Sequence, residues 1–266
     1  MSTKEYLKQL GVRDLPPRTV PFDPGYDAPT VAAHLRQSSH LMAGLKLSMA
    51  CWQIAREEET LHKIDACREN GVCPCVGGGP LEVAAKQGLL REYMELCSKL
   101  GIGRVEAGEG FIQNDLRPKE IVAMASDLGM ELQFELGEKH SGAFTEADVS
   151  KLLQQGDEWL AAGASQVVIE AREDASGVGL FDEKGAFNGV LADRFMENFG
   201  VEFVVFEAPT KYSQFELIRH FGANVSLGNV RLEEVLRVEI YRRGLHSDAF
   251  QYEHLQPSLI VPTDVE

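Results

Sequence analysis

Apolar residues in this chain fall in short runs separated by longer amphipathic stretches. The runs at 19–25, 44–50, 72–76, 104–107, 130–136, 166–170, 203–206 and 224–227 are rich in Val, Ile, Leu and Phe, as strands buried on both faces are. Between and after them the spacing predicts helices over 31–41, 54–67, 81–100, 118–128, 145–162, 191–199, 214–221 and 232–243. Within 54–67, Ile54, Leu61, Ile64, Ala66 and Cys67 make the apolar stripe, while Arg56, Glu57, Glu58 and Lys63 read as the solvent face. Thr145 is placed to cap the helix it opens.

Eight strands in strict alternation with eight helices predict an α/β protein, a single-domain (β/α)8 barrel of the TIM type. A doubly wound open sheet shares the alternation and is the rival architecture. Residues 1–18, closed by Pro16-Pro17, read as an N-terminal arm, 19–250 as the barrel and 251–266 as a C-terminal tail.

Composition narrows the function classes. With 266 residues, 44% of them hydrophobic, the chain is long enough for a full core. Its formal net charge of −15 argues against nucleic acid and anionic membranes as partners, since both require basic patches. No apolar stretch of signal-peptide or membrane-span length opens the sequence, so the expected location is the cytoplasm. Five cysteines (Cys51, Cys67, Cys73, Cys75 and Cys97) read as reduced thiols, because Cys73-Pro74-Cys75 is too closely spaced for the usual redox or metal pair. The histidines lack metal-ligand spacing.

The chemistry gathers at strand ends. Val105-Glu106-Ala107-Gly108, Phe134-Glu135-Leu136-Gly137, Ile169-Glu170-Ala171-Arg172 and Phe206-Glu207-Ala208-Pro209 each end an apolar run on a glutamate. Buried carboxylates need partners, and four at successive strand ends point to one shared cationic centre: a metal, a lysine or both. A barrel would gather them at its C-terminal mouth with Lys46, Lys139, residues 77–79 and Glu109. Lys46 interrupts an apolar run, where a lysine without a role is uncommon. Such a mouth suits a small anionic substrate and a hard divalent cation, Mg²⁺, with Glu106, Glu135, Glu170 and Glu207 as metal candidates. Asp23, Arg172, Lys211, Gly228 and Asn229 are the substrate-binding candidates, the last two placed just after strand eight for a phosphate. Simple salt bridges from Glu135 to Lys139 and from Glu170 to Arg172 remain an open structural reading.

Longer motifs then point to a family. Residues 168–173 (Val-Ile-Glu-Ala-Arg-Glu) with 177–182 (Gly-Val-Gly-Leu-Phe-Asp), 206–211 with Gln214, 221–229, 135–139 and Arg242-Arg243-Gly244-Leu245 closely resemble signatures of phosphosulfolactate synthase. That enzyme of coenzyme M biosynthesis adds sulfite to phosphoenolpyruvate. The resemblance runs from about Thr19 to Phe250 and implies a (β/α)8 barrel, Mg²⁺ dependence and a homo-oligomer, possibly a trimer. It also implies a mechanism in which sulfite attacks C3, the C2 carbanion is held as an aci-carboxylate on Mg²⁺, and a lysine protonates C2. By motif position Lys139 is the acid, Lys46 holds phosphate or carboxylate, and Arg172 and Lys211 hold sulfite or phosphate.

Departures from the family pattern cluster in the first four loops. Asp23-Pro24-Gly25 stands where Asp-Lys-Gly is usual, and Lys46-Leu47-Ser48-Met49-Ala50-Cys51 where Lys-Phe-Gly-Trp-Gly-Thr is expected. Gly77-Gly78-Gly79 replaces Gly-Gly-Thr, and Glu109 an aspartate. These changes imply retained carbon-acid machinery beside a remodelled substrate pocket, with another nucleophile or a relative of phosphoenolpyruvate as the alternative. A Schiff-base aldolase using Lys46 or Lys139, and a non-catalytic homologue like the family's plant heat-stress-associated relatives, are the competing readings.

Overall fold

The computed structural model describes residues 1–112 and 116–258. Its eight parallel strands form a closed barrel in sequence order: β1 (Thr19–Asp23), β2 (Leu45–Leu47), β3 (Pro74–Val76), β4 (Arg104–Gly108), β5 (Glu131–Leu136), β6 (Gln166–Ile169), β7 (Val204–Glu207) and β8 (Ser226–Arg231). Closure is made by β8 lying parallel to β1, with Thr19 opposite Leu227 and Phe22 opposite Arg231. An open sheet is thereby excluded. The outer layer comprises α2 (Ala28–Ser38), α3 (Cys51–Ile54), α4 (Glu57–Glu69), α5 (Gly78–Lys86), α6 (Leu90–Leu100), α7 (Pro118–Asp127), α8 (Glu146–Ala162), α9 (Gly189–Phe199), α10 (Lys211–Phe221) and α11 (Val235–Arg242), while α1 (Thr3–Gln9) precedes the barrel.

Alternation along each strand explains the core. Phe134 and Phe206 face outward and stack on Trp159 of α8 and Phe221 of α10, with ring centroids 4.1 and 5.1 Å apart. Their neighbours Glu135 and Glu207 therefore point into the barrel. Among the described residues no helix is long and apolar enough to cross a membrane. All five cysteines are free thiols.

Several element boundaries differ from the sequence reading. The stretch 54–67 is broken into α3 and α4, with Ile54 exposed and Lys63 buried. Gly88, in the left-handed region at φ +71°, divides the expected helix 81–100 into α5 and α6. Strand eight starts later than 224 and extends to Arg231, so Gly228 and Asn229 lie within it rather than after it. Residues 1–18 include α1. Beyond 250, Leu255 is buried and the His254 ring nitrogen bonds the Arg219 carbonyl at 2.9 Å, while 259–266 lie outside the described residues.

The seam between β8 and β1 is fastened from below by a buried arginine. Arg242 donates to the carbonyls of Ala223 and Val225, both at 2.7 Å, to Glu239 at 3.1 Å and to the Thr19 hydroxyl at 3.2 Å. Thr19 in turn donates to Glu239 at 2.7 Å, and Arg243 completes the carboxylate's shell. The Arg-Arg-Gly-Leu motif thus has a structural role. Arg242→Met would leave two carbonyls and much of a buried carboxylate unmet, and should lower the unfolding free energy by about 3–5 kcal/mol, read from the denaturation midpoint. An unchanged midpoint would remove Arg242 as the seam's fastening.

Candidate active site

Four strand ends deliver the glutamates to one place because their registers agree. Glu106 lies opposite Gln133, and Glu135, two residues on, shares Gln133's face. Glu207 lies opposite Gly228, one residue before Asn229. Glu106, Glu135, Glu170 and Glu207 are all at most 4% exposed, and Lys46 is 6% exposed.

Two ammonium groups knit these carboxylates together. Lys46 Nζ lies 3.0 Å from Glu106 Oε2 and 3.7 Å from Glu207 Oε1. Lys139 Nζ lies 2.8 Å from Glu135 and 2.5 Å from Glu170. Neutral donors fill in: Gln133 Nε2 to Glu106 at 2.7 Å, the Gly78 amide to Glu106 at 3.2 Å, the Ala171 amide to Glu207 at 2.9 Å, and the Asn229 side-chain amide to Glu207. The simple pair of Glu135 with Lys139 is present, but it belongs to a larger network. Arg172 does not pair with Glu170 through its side chain; its backbone N–H donates to that carboxylate at 2.5 Å.

Four carboxylates against two ammoniums leave two negative charges in excess. Titration behaviour reflects that surplus. Burial, with Glu135 and Glu106 nearby, pushes Glu207 up to about 7 despite Lys46 and Lys139. Burial and then the charge of Glu170 hold Glu135 well above the usual carboxylate range, and burial followed by Glu207 raises Glu170. Glu106 alone is lowered: burial opposes its ionised form, but the charge and hydrogen bond of Lys46 outweigh it. Burial disfavours both ammoniums, yet the surrounding glutamates outweigh it and raise Lys46 and Lys139 above the ordinary lysine value.

Beside this network opens a cavity of about 810 Å³. Lys46, Glu106, Glu135, Lys139, His140 and Asn229 form its polar end, with residues 77–79 at the start of α5. The N-cap Gly77 has no side chain to cap that helix, and its first amide, that of Gly78, is met by Glu106 at 3.2 Å, so the positive end of α5 already supports the network. The other candidates stand apart. Asp23 is buried against Lys63 at 2.7 Å and accepts from the amides of Gly25 and Tyr26, which fixes the loop after β1. Lys211 is half exposed and pairs with Asp248 at 3.1 Å. Gly228 gives its carbonyl to the Ala208 amide at 2.9 Å, and the Arg172 side chain is exposed. Glu109 lines a second cavity of about 420 Å³, which shares Glu135 with the first.

Two residues matter that the sequence reading did not single out for the site. Lys63 supplies a cation to the first loop, next to a Pro24 that carries none. Glu82 on α5, fully buried, accepts from the amides of Gly110, Phe111 and Ile112 at 3.1, 3.1 and 2.9 Å. The Gly110 carbonyl then receives the Lys139 amide at 2.7 Å, so Glu82 positions the loop against which Lys139 rests. A Cβ at Gly110 would come within 3.0 Å of Glu135 Oε1 and 3.1 Å of Lys139 Cε, so any larger residue there would press on both side chains. Their signal in sequence was slight: a lone acid or base on a helix is usually solvated.

Strain marks the same rim. Met49, Arg172 and Asn229 take left-handed φ values of 49°, 55° and 50°, the first two just past the ends of β2 and β6 and the third within β8. Such positions cost on the order of 1–3 kcal/mol and gather at functional sites.

Comparison with known proteins matches this chain to a family. The family model described as (2R)-phospho-3-sulfolactate synthase (ComA) matches residues 17–248. The chain belongs to the phosphosulfolactate synthase family. Phosphosulfolactate synthase of Methanocaldococcus jannaschii is 30% identical over 251 residues, covering 94% of this chain and 99% of that one. The Bacillus subtilis enzyme of the same name is 25% identical, covering 92% of this chain and 98% of that one. Solved structures similar in fold include the YdjI aldolase from Escherichia coli K12 (TM-score 0.54, 10% identity, covering 91% of this chain and 84% of that one) and a tryptophan synthase alpha-subunit mutant from Pyrococcus furiosus (TM-score 0.52, 9% identity, 90% and 97%). At such identities the likeness shows the barrel alone.

Glu82→Gln replaces a charged acceptor of three amides with a neutral one of lower capacity. Amide exchange at 110–112 should accelerate about tenfold or more, measured by hydrogen exchange with the rest of the barrel as reference. Unchanged protection would show that Glu82 does not hold the loop.

Proposed function

We propose that this protein catalyses Mg²⁺-dependent addition of sulfite to phosphoenolpyruvate, giving 2-phospho-3-sulfolactate. The observation that carries the reading is the buried network of four glutamates and two lysines opening on one cavity, in a chain of the phosphosulfolactate synthase family.

The donor set suits the cation. Mg²⁺ takes hard oxygen ligands, commonly one or two carboxylates plus substrate oxygens and water. Among the described residues no three of His, Cys, Asp and Glu converge as a ready cage. Glu135 and Glu170, which share the Lys139 ammonium, would hold it, with Glu106 and Glu207 behind them. When bound, the ion supplies positive charge against the negative charge that develops on the substrate carboxylate.

The protein's own residues do the rest. Lys46, between Glu106 and Glu207 at the polar end, stays charged and attracts the anionic acid. The start of α5 offers backbone dipole to phosphate or carboxylate. Sulfite forms a bond to C3, the C2–C3 π pair shifts toward the carboxylate, and the Lys139 ammonium gives its proton to C2. Glu135 and Glu170 keep Lys139 protonated beforehand. Arg172, in the turn after β6, and Lys211, at the start of α10, are exposed and would recruit anions rather than hold reacting atoms.

Two competing readings fare less well. A Schiff-base aldolase needs a neutral amine, and carboxylates hold both lysines charged. A non-catalytic barrel would have no use for four buried carboxylates whose charge is only half met, since replacing them with apolar side chains would stabilise the fold.

Incubated with phosphoenolpyruvate, sulfite and Mg²⁺, the protein should form a sulfonated product detectable by mass spectrometry. Lys139→Ala should lower its rate about 10²–10⁴-fold while leaving phosphoenolpyruvate binding within a few-fold. No product from wild type would remove the proposal, and an unimpaired variant would remove Lys139 as the acid.

A pH dependence follows from Glu207. Its raised pKa means that the folded protein without cation holds a proton there between the unfolded carboxyl value and about 7, so ionisation opposes folding across that window and cation binding must expel the proton. Mg²⁺ affinity should therefore rise as pH increases through about 7, with proton release visible by calorimetry in buffers of different ionisation enthalpy. Affinity independent of pH from 6 to 8 would contradict this.

A further inference from the structure

We propose that the far half of the cavity is a tail pocket, and that the acceptor is a 2-phosphoenol acid carrying an apolar substituent on C3. The inference rests on the proposed reaction and names its substrate class. The cavity that holds Lys46, Glu106, Glu135 and Lys139 is also lined by Met49, Val83, Leu89, Tyr93, Leu96 and Phe111, an apolar set with Gln53, Gln87 and Glu92 as its polar neighbours. Met49, Val83, Leu89, Leu96 and Phe111 are 53, 47, 51, 37 and 46% exposed, and all five line this one cavity. Phosphoenolpyruvate and sulfite offer such a wall nothing to bury.

Three observations join the wall to the substrate. At about 810 Å³ the cavity is of the size that encloses ligands much larger than a three-carbon acid, roughly 300–1,000 Å³. Met49, in the loop after β2, is held in a left-handed conformation with φ 49°, and it lines the same cavity as residues 77–79. The acid itself supplies the direction. Its carboxylate and phosphate both hang on the C1–C2 end and belong at the polar end of the cavity. C3 is the one carbon bearing no charged group, so a substituent there turns toward the apolar wall.

The chemistry balances as before. The sulfite sulfur forms a bond to substituted C3, the C2–C3 π pair moves toward the carboxylate, and C2 takes the Lys139 proton, which the lysine regains from solvent. Phosphate stays on C2. The product is a 2-phospho-3-sulfo acid with the apolar group retained on C3, and no oxidant or reductant is consumed.

The test compares phosphoenolpyruvate with (Z)-3-phenylphosphoenolpyruvate, each with Mg²⁺ and the full chain, by calorimetric binding and by mass spectrometry after sulfite is added. Wild type should bind the phenyl acid about tenfold tighter or more. Leu96→Asp and Leu89→Asp should erase the preference, whereas Val190→Asp, at an exposed position outside the cavity wall, should keep it. Equal or tighter binding of phosphoenolpyruvate by wild type would overturn the tail pocket while leaving the proposed reaction standing. Failure of both acids to bind would overturn both. Aspartate variants that keep the preference but lose mass in sedimentation would assign the wall to a second copy of this chain.

Discussion

A surplus of buried negative charge governs this molecule. Glu106, Glu135, Glu170 and Glu207 project into the barrel with Lys46 and Lys139 as their only ammonium partners among the described residues. Burying an ion is costly unless it is paired, so a fold that holds two uncompensated carboxylates has sacrificed stability at that spot. The structure distributes the burden: Glu106 stays ionised against Lys46, while Glu135, Glu170 and Glu207 are driven toward their protonated forms. A divalent cation would match the two excess charges and leave Lys46 and Lys139 to face an anionic substrate. Stability and function thus meet in one set of side chains.

The rest of the barrel can be understood as support for that set. Period-two alternation sends Phe134 and Phe206 out to the helices and Glu135 and Glu207 in. The loops over the mouth are tied down by groups that touch no substrate: Glu82 holds 110–112, Asp23 with Lys63 holds the first loop, and Gly179 lets the sixth loop approach its strand. A Cβ at Gly179 would lie 2.1 Å from the Glu170 carbonyl oxygen, and its φ of +59° also favours glycine, which accounts for the glycine within that motif. Under the barrel, Arg242 locks the seam.

Much of this was legible in the sequence. Strand runs ending on glutamate are conspicuous because few residue types interrupt an apolar run without structural cause, and Lys46 stood out for the same reason. Helix and loop contributions were harder to see. Lys63 looked solvated because its partner, the buried Asp23, comes from the end of β1, forty residues earlier, while the stripe residues Ile64, Ala66 and Cys67 beside it are buried as read. Glu82 follows a glycine-rich turn whose role as a helix start shows only in three dimensions. Arg172 and Lys211, close to motif glutamates in sequence, diverge from them in space because Arg172 follows the turn after β6 and Lys211 opens α10. The extent of the apolar wall was invisible, since it is assembled from the loop after β2, from α5 and α6, and from the loop after β4.

Anomalous diffraction from crystals soaked with Mn²⁺, standing in for Mg²⁺, and phosphoenolpyruvate would show whether the glutamate mouth is a cation and phospho-acid site. One strong anomalous peak is expected within coordination distance, roughly 2.2 Å, of Glu135 or Glu170, with Lys139 displaced from at least one of its carboxylates and phosphorus density at the polar end of the cavity. Ordered phosphoenolpyruvate elsewhere, or manganese bound only outside the barrel mouth with both Lys139 ion pairs intact, would contradict that role.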